Sequence, residues 1–253
     1  MTFYLKGIFM GDYEWRLQEP LDAVVFDCDG TLSEIEGIDV LAEENGVAQE
    51  VERLTQEAMS VTGITENIYH DRLQYTKPTR QQLEKLGEVY YQYRSEHVES
   101  VIEIFQDLGK KVFVLSAGMN PAVKIFSDKL GVNVENVYAV DLEFDKDGNY
   151  CGYHHYCAPS RKGGKCDVLE DIKKNYPRIM HVGDGMNDVE AKDSVTRFVG
   201  YGGAYFRQSI MDLCEFYIKS KSLLPLLHFG LTIEELTHAK IDPKIDEALV
   251  KIP

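Results

Sequence analysis

The feature that most constrains the fold of this chain is the stretch AVVFDCDGTL at residues 23–32, where an apolar run leads directly into two aspartates. Four consecutive apolar residues favour a strand that is buried on both faces, as in a parallel sheet covered by helices. Asp27 and Asp29 follow that run, and side chains at the carboxyl end of a parallel strand face a ligand crevice. The stretch therefore predicts an α/β fold with acidic groups at one edge of the sheet.

Further apolar runs of similar length support this fold class, at residues 112–115, 179–182, 197–200 and 216–218. Helical patterns separate them, as in a sheet built from strand-helix-strand units. We expect Asn120 and Pro121 to begin one of these helices, as its cap and its first-turn residue. The alternation predicts a Rossmann-like parallel core formed by residues 21–35 and 96–225.

Other segments depart from this alternation. Residues 36–95 have helical periodicity and no apolar strand, and they are too long for a simple crossover, so we predict an inserted helical cap domain. Two alternating segments around DKDGN at residues 145–149 predict a small β-hairpin, with structural roles for His154 and His155.

The two ends of the chain lie outside these predicted units. Residues 1–20 form an N-terminal extension. Residues 226–253 form a tail with helical periodicity, for which packing and self-association as a homodimer both remain open.

Composition limits the partners and the location of the protein. The formal net charge of −15 opposes binding to nucleic acid or to an anionic membrane surface. No stretch has the length of a membrane span, and the amino-terminal residues do not resemble a secretory signal. The five cysteines form no close pairs of the kind that bind metals, and we expect reduced thiols packed as small apolar groups. These features predict a cytoplasmic protein.

Several polar side chains are predicted to follow the ends of neighbouring strands: Asp27, Asp29, Ser116, Asp184 and Asp188. Two unit charges 4 Å apart repel by roughly 4 kcal/mol at an effective dielectric constant of about 20, so gathered carboxylates need a cation. Oxygen ligands without paired histidine or cysteine favour a hard ion, and few carboxylates with open positions suit Mg²⁺ better than Ca²⁺. The sequence therefore predicts a magnesium site.

Four motifs in a fixed order extend this interpretation: DCDGT at 27–31, VLSAG at 114–118, KGGK at 162–165 and VGDGMND at 182–188. Together they resemble the motifs of the haloacid dehalogenase superfamily of aspartate-nucleophile phosphohydrolases. Stretches such as EIEGIDVLAEENGV, HDRLQYTKPTR and YGGAYFRQSI are similar to those of phosphoserine phosphatases, over about residues 22–220. The resemblance implies a Mg²⁺-dependent phosphatase that hydrolyses O-phospho-L-serine through an aspartyl phosphate.

The resemblance also implies catalytic roles. Asp27 would be the nucleophile and a metal ligand, and Asp29 the general acid and base as well as a member of the metal site. Asp184 would bind the metal, and Asp188 would hold the metal or its water, with a helix N-cap as its structural alternative. Phosphoryl oxygens would be bound by Ser116 and Lys165, for which Lys162 is the competing candidate.

Substrate-binding roles are carried over in the same way, to Glu36, Met59, Arg72, Ala117, Gly118, Asn187 and Arg207. Glu36 would bind the substrate ammonium and Arg72 its carboxylate, although both could be ordinary surface charges. Met59 would be an apolar gate or a core residue. Ala117 would offer its backbone N–H to the phosphate, and Arg207 would support the phosphate side of the site or form a structural salt bridge.

The sequence leaves two alternative functions open. One is a phosphatase that acts on another small phosphomonoester, such as phosphohomoserine or a sugar phosphate. The other is a phospho-accepting signalling module, which also combines aspartate, Mg²⁺ and lysine on an α/β sheet. The second alternative is disfavoured because a stable switch needs neither an activator of water nor a cap that recognises substrate.

Overall fold

The computed structural model describes residues 14–57 and 65–253 of the chain. Over these ranges, eight strands form one sheet in the order β4-β3-β2-β1-β5-β6-β7-β8. The strands are β1 (Ala23–Phe26), β2 (Lys111–Asn120), β3 (Val137–Phe144), β4 (Tyr150–Tyr153), β5 (Ile179–Gly183), β6 (Arg197–Tyr201), β7 (Phe216–Ile218) and β8 (Val250–Lys251).

Helices connect and follow these strands. In the described parts of the chain they are α1 (Gly37–Glu44), α2 (Ala48–Glu57), α3 (Glu66–Thr76), α4 (Arg80–Gln92), α5 (Val98–Asp107), α6 (Ala122–Lys129), α7 (Gly164–Lys173), α8 (Met186–Val189), α9 (Gln208–Leu213), α10 (Leu226–Gly230) and α11 (Ile233–His238). None of the described helices combines the length and the apolar character that crossing a lipid bilayer requires.

Strand β1 lies at the centre of the sheet and pairs in parallel with β2 and β5. Phe26 lies beside Val114 and Val182, so the polar residues that follow β1 and β5 emerge at the same edge. All four residues of β1 are fully buried because helices cover both faces of the sheet. The predicted α/β class with a mostly parallel sheet is confirmed.

Side chains of β1 alternate between two apolar clusters, one on each face. Val24 and Phe26 belong to the larger cluster, which continues into helices α1, α3 and α4. Ala23 and Val25 belong to a smaller cluster that includes Leu169 of α7. Because the larger cluster is continuous, the helical insert shares packing with the sheet that carries the acidic residues.

Among the described residues, the helical insert comprises α1 to α4. Thr79 caps α4 with its hydroxyl, and Gln82 completes the capping box. The two chain segments that join insert and core run side by side, since the Glu34 N–H donates to Tyr93 O at 2.8 Å and the Ser95 N–H donates to Leu32 O at 2.9 Å. This double connection fixes the entry and exit of the insert next to the end of β1.

Two sequence predictions need correction. Asn120 ends β2 and does not cap a helix: α6 begins at Ala122, with Pro121 as its N-cap. The tail is not only helical, since β8 pairs antiparallel with β7 at the sheet edge.

The hairpin prediction is confirmed by antiparallel pairing of β3 with β4, and β3 also joins the main sheet beside β2.

The tail packs against the core of its own chain. Leu226, Leu227 and Phe229 of α10 are buried, and the Phe229 ring lies 5.4 Å from the ring centroids of both Trp15 and Phe216. Packing is therefore the role that these contacts support for the tail.

The five cysteines are all free thiols, but only Cys28 and Cys214 are buried, while Cys151 is exposed.

Candidate active site

Three of the four predicted aspartates come together at the carboxyl-terminal edge of the sheet. Asp27 follows β1, and Asp184 and Asp188 follow β5. One carboxylate oxygen from each lies within 4.8 Å of the other two, and all three residues are buried. Parallel pairing of β1 with β5 is what brings the ends of these strands together.

Lys165 lies between two of these carboxylates. It lies in the first turn of α7, and its ammonium is 2.9 Å from Asp27 Oδ1 and 2.6 Å from Asp188 Oδ1. Only 3% of its surface is exposed. Lys162 lies outside the site, with a solvent-exposed side chain 3.5 Å from Glu190. The structure therefore places Lys165 among the aspartates and leaves Lys162 at the surface.

The three carboxyls differ in their readiness to ionise. Burial raises the pKa of Asp27 well above its usual range, and the charge of Asp188 adds to the effect while Lys165 opposes it. Burial also raises the pKa of Asp184 to about 6, against the opposing attraction of Arg207. For Asp188, burial is outweighed by Lys165 and His181, which hold its pKa below the usual range. Full ionisation of the cluster therefore requires a further cation.

The residues of this cluster fit a divalent metal ion. Closely spaced carboxylate oxygens are the ligands that Mg²⁺ prefers in proteins. Asp184 Oδ1 is buried and has no hydrogen-bond partner among the residues that the structure describes. Gly30, at φ +68°, passes so close that a Cβ would lie 2.4 Å from Asp184 Oδ2, so glycine keeps this space open. Asp27, Asp184 and Asp188 could together hold such an ion.

The Asp29 carboxylate lies outside the cluster formed by Asp27, Asp184 and Asp188. Its Oδ1 accepts hydrogen bonds from the Gly37 N–H and from the Tyr90 hydroxyl, both at 2.6 Å. Its Oδ2 accepts a hydrogen bond from the Ser116 hydroxyl at 3.3 Å. Donors from α1 and α4 of the insert thus turn this carboxylate away from the other three aspartates.

The segment at the end of β2 forms one wall of a pocket beside Asp29. The Gly118 N–H donates to Ser116 Oγ at 2.8 Å. A Cβ on Gly118 would lie 2.7 Å from Asp29 Oδ2, so a side chain at this position would displace the carboxylate. Ser116, Ala117 and Gly118 all line this pocket, together with Asp27 and Asp29.

The helical insert forms the opposite wall of the same pocket. Glu36, the N-cap residue of α1, and Arg72 of α3 are both buried and both line it, beside Tyr69. The Arg72 guanidinium lies 5.7 Å from the centroid of the Tyr69 ring, and Nη1 donates to Thr55 Oγ1 at 3.4 Å. Within the described ranges, Glu36 Oε1 and Arg72 Nε have no hydrogen-bond partner. Neither residue is a surface charge.

The remaining predicted residues have different positions. Asn187 lines the pocket, and its Oδ1 is buried without a hydrogen-bond partner in the described chain. Arg207 does not line it: its guanidinium donates to the Asp184 carboxylate and lies 3.9 Å from Glu36 Oε1. Arg207 therefore connects the acidic cluster with the wall of the insert. Met59 lies outside the described residues.

Sequence reasoning missed His181 and Tyr90. His181 is fully buried, with Nε2 2.9 Å from Asp188 Oδ1 and Nδ1 3.1 Å from Val25 O. Its signal was a polar residue within the apolar run at 179–182, which indicates a buried hydrogen bond. Tyr90 had no comparable signal, because its periodic position on α4 is that of an ordinary core residue.

Comparisons with known proteins identify the family. The family model described as haloacid dehalogenase-like hydrolase matches residues 24–192, which include the acidic cluster and Lys165. The chain belongs to the haloacid dehalogenase-like hydrolase family. Phosphoserine phosphatase from Bos taurus is 32% identical over 199 residues, covering 78% of this chain and 88% of the bovine protein. The phosphoserine phosphatase of Drosophila melanogaster is 32% identical over 198 residues, covering 77% and 73% of the two chains.

Solved structures agree with this assignment. A structure described as a phospho-aspartyl intermediate analogue of phosphoserine phosphatase superposes with a TM-score of 0.71 at 25% identity, covering 83% of this chain and 98% of the other. This haloacid dehalogenase-like hydrolase is thus a phosphatase related to phosphoserine phosphatases. The acidic cluster at the end of β1 and β5 lies where the family model matches.

We predict that Mg²⁺ stabilises the protein more at pH 7.5 than at pH 5. Because the folded pKa of Asp184 is raised to about 6, the contribution of this residue to the stability of the metal-free protein is fully present below its unfolded pKa of 3.8 and is lost as pH rises through 6. At higher pH, a bound Mg²⁺ ion would offset the negative charge of the Asp184 carboxylate that a proton neutralises at lower pH. At a Mg²⁺ concentration of 100 Kd, binding should raise the free energy of unfolding by about 2.7 kcal/mol. This gain corresponds to an increase of roughly 5–10 °C in the thermal midpoint at pH 7.5.

Calorimetry with and without Mg²⁺ at the two pH values provides the measurement. Asp184→Asn should lose most of the stabilisation, whereas Asp193→Asn, an exposed aspartate outside the cluster, should keep it. An equal gain at both pH values, or a full gain in Asp184→Asn, would contradict the assignment of the ion to this cluster.

Proposed function

We propose that this protein is a Mg²⁺-dependent phosphatase that hydrolyses O-phospho-L-serine to L-serine and phosphate. The observation that carries the proposal is the presence of Glu36 and Arg72 in the pocket that Asp27 lines, each with a buried atom that accepts or donates no hydrogen bond among the described residues. An amino-acid zwitterion complements both groups, its ammonium at Glu36 and its carboxylate at the Arg72 fork. The likeness to phosphoserine phosphatases supports the same substrate.

The charge balance around Glu36 also supports an ammonium ligand. Burial raises the pKa of Glu36 well above its usual range, the charges of Asp184 and Asp29 add to this, and Arg207 opposes it. A cationic substrate group at Glu36 would compensate for the lost hydration and stabilise the carboxylate. A sugar phosphate has no such cation, so the pocket favours an amino-acid phosphate.

In the first chemical step, a carboxylate oxygen of Asp27 attacks phosphorus and the bond from phosphorus to the serine oxygen breaks. Asp29 is the general acid that protonates this leaving oxygen, which releases serine and leaves an aspartyl phosphate on Asp27. In the second step, Asp29 takes a proton from a water molecule as its oxygen attacks phosphorus. The bond to Asp27 then breaks, phosphate leaves and the carboxylate is restored.

The remaining residues position the phosphoryl group. Lys165 balances its negative charge, and the Ser116 hydroxyl and Ala117 N–H bind its oxygens. Gly118 allows the Asp29 carboxylate to keep its position, because any side chain at residue 118 would meet that carboxylate. Mg²⁺, held by Asp27, Asp184 and Asp188, would supply positive charge to the transferring oxygens. The insert would exclude bulk water during the reaction.

We predict that Arg72 determines substrate selectivity. The wild-type protein should hydrolyse phosphoserine with a kcat/KM at least about ten-fold above that for p-nitrophenyl phosphate, and a chelator should abolish both activities. Arg72→Leu should lose about 10–100-fold on phosphoserine, the equivalent of a charged hydrogen bond of about 1.5–3 kcal/mol, because its carboxylate loses its partner. Activity on p-nitrophenyl phosphate should change by less than about three-fold, since it has no carboxylate.

Arg80→Leu is the matched control, because Arg80 belongs to α4 of the same insert and does not line the pocket. Its guanidinium lies over the ring of Phe144 on β3. The Arg80→Leu variant should retain both activities. If phosphoserine is hydrolysed no faster than p-nitrophenyl phosphate, the substrate is a different phosphomonoester. A long-lived aspartyl phosphate without turnover would instead indicate a signalling module.

We further predict that Tyr90 orients the general acid. The Tyr90 hydroxyl and the Gly37 N–H both bind Asp29 Oδ1, which leaves Oδ2 directed at Ser116 and the pocket. Tyr90→Phe should lower kcat for phosphoserine about ten-fold, because the serine alkoxide needs a well-placed proton. It should lower kcat for p-nitrophenyl phosphate by less than about three-fold, since p-nitrophenolate leaves without one.

Tyr91→Phe is the control for this variant, because the Tyr91 hydroxyl donates to Glu99 outside the site. It should behave as wild type with both substrates. A merely structural role for Tyr90 would reduce both activities of Tyr90→Phe equally, and that result would contradict the orienting role.

A further inference from the structure

A second cluster of metal-ligand side chains lies on the hairpin β3–β4 and the loop after it. Asp141 is on β3, and His154 and Cys157 follow β4. One ligand atom from each of the three lies within 4.8 Å of the other two. Antiparallel pairing builds the cluster: the His154 N–H donates to Asp141 O at 3.0 Å, and the Cys157 N–H donates to His154 O at 2.9 Å.

The chemistry of these three ligands differs from that of the active site. A thiolate, an imidazole and a carboxylate form a mixed set that Zn²⁺ binds well and that Mg²⁺, which prefers oxygen, does not. We propose that Asp141, His154 and Cys157 form a second metal site that binds Zn²⁺ or a similar transition-metal ion, with a remaining position open to water. The site is separate from Asp27, Asp184 and Asp188.

Neighbouring side chains hold the ligands in place. The Asn120 amide donates to Asp141 Oδ1 at 2.8 Å, and Asn120 itself is buried at the end of β2. The two ring nitrogens of His154 each have an oxygen partner, the Tyr156 hydroxyl at 2.8 Å from Nδ1 and Glu143 Oε1 at 3.3 Å from Nε2. Whichever nitrogen binds the ion, the other is therefore held by an oxygen, as is usual for metal-binding histidines.

The cluster is accessible to an ion from solvent. The His154 side chain is 32% exposed, and Cys157 is only partly buried. This contrasts with the active-site aspartates, which are all buried. An ion can therefore enter or leave this second site without opening the pocket beneath the insert.

The position of the cluster gives the ion a structural effect. Tyr153, next to His154, packs edge-on against Tyr69 of α3 with ring centroids 5.1 Å apart. His155 Nδ1 lies 3.5 Å from Glu66 Oε1, also on α3. An ion that joins β3 to the loop after β4 would hold Tyr153 against Tyr69, which lines the substrate pocket. The second site thus braces the contact between hairpin and insert.

The test is titration of the full-length, metal-free protein with Co²⁺ in excess Mg²⁺, followed by displacement with Zn²⁺. We expect one equivalent of Co²⁺ to produce a thiolate-to-metal charge-transfer band in the near ultraviolet, and Zn²⁺ to remove it. Cys157→Ser should lose the band, and His154→Gln should bind Co²⁺ at least about ten-fold more weakly, because each removes a ligand. The all-oxygen active site cannot give this band.

Cys151→Ser is the matched control, because Cys151 is an exposed cysteine on β4 outside the cluster. It should retain the band and the affinity of the parent. Thermal unfolding without added metal checks that each variant is folded, and Asp141→Asn replaces any variant that is not. Absence of the band in the parent, its persistence in Cys157→Ser, or its loss in Cys151→Ser would overturn the proposal.

Discussion

The ammonium of Lys165, held between Asp27 and Asp188, is the interaction on which the site depends. Two carboxylates about 4 Å apart repel by roughly 4 kcal/mol at an effective dielectric constant of about 20, a large fraction of a typical folding free energy of 5–15 kcal/mol. Lys165 and Arg207, whose guanidinium contacts the Asp184 carboxylate, supply two positive charges for three buried aspartates. Negative charge therefore remains uncompensated at the place where a metal ion and a phosphoryl group would bind.

The sheet and the insert contribute different parts of the active site. Parallel strands β1 and β5 place the aspartates at one edge of the sheet, and the first turn of α7 places Lys165 beside them. The insert supplies Glu36 and Arg72 to the pocket and directs Asp29 through Tyr90. In the proposed function, the sheet edge would carry out the chemistry, while the insert would determine selectivity and orient the Asp29 carboxylate. This division explains why the two can be tested with separate variants.

Local patterns were sufficient for the parts of the fold that rest on short-range physics. Apolar runs ending in polar residues located β1 and β5, and helical periodicity located the insert. Contacts between distant segments could not be obtained in this way. Nothing in the sequence indicates that Tyr90 binds Asp29, that β8 pairs with β7, or that Cys157 lies near Asp141, because each contact depends on how elements pack.

The most direct measurement of the central claim is the turnover of Asp27→Asn alongside its thermal unfolding. If the Asp27 carboxylate forms the bond to phosphorus, phosphatase activity should fall by more than about a thousand-fold. The fold should survive, since asparagine keeps the shape of the side chain and removes a charge whose burial is unfavourable. A folded Asp27→Asn protein that retains activity within about ten-fold of the parent would contradict the account.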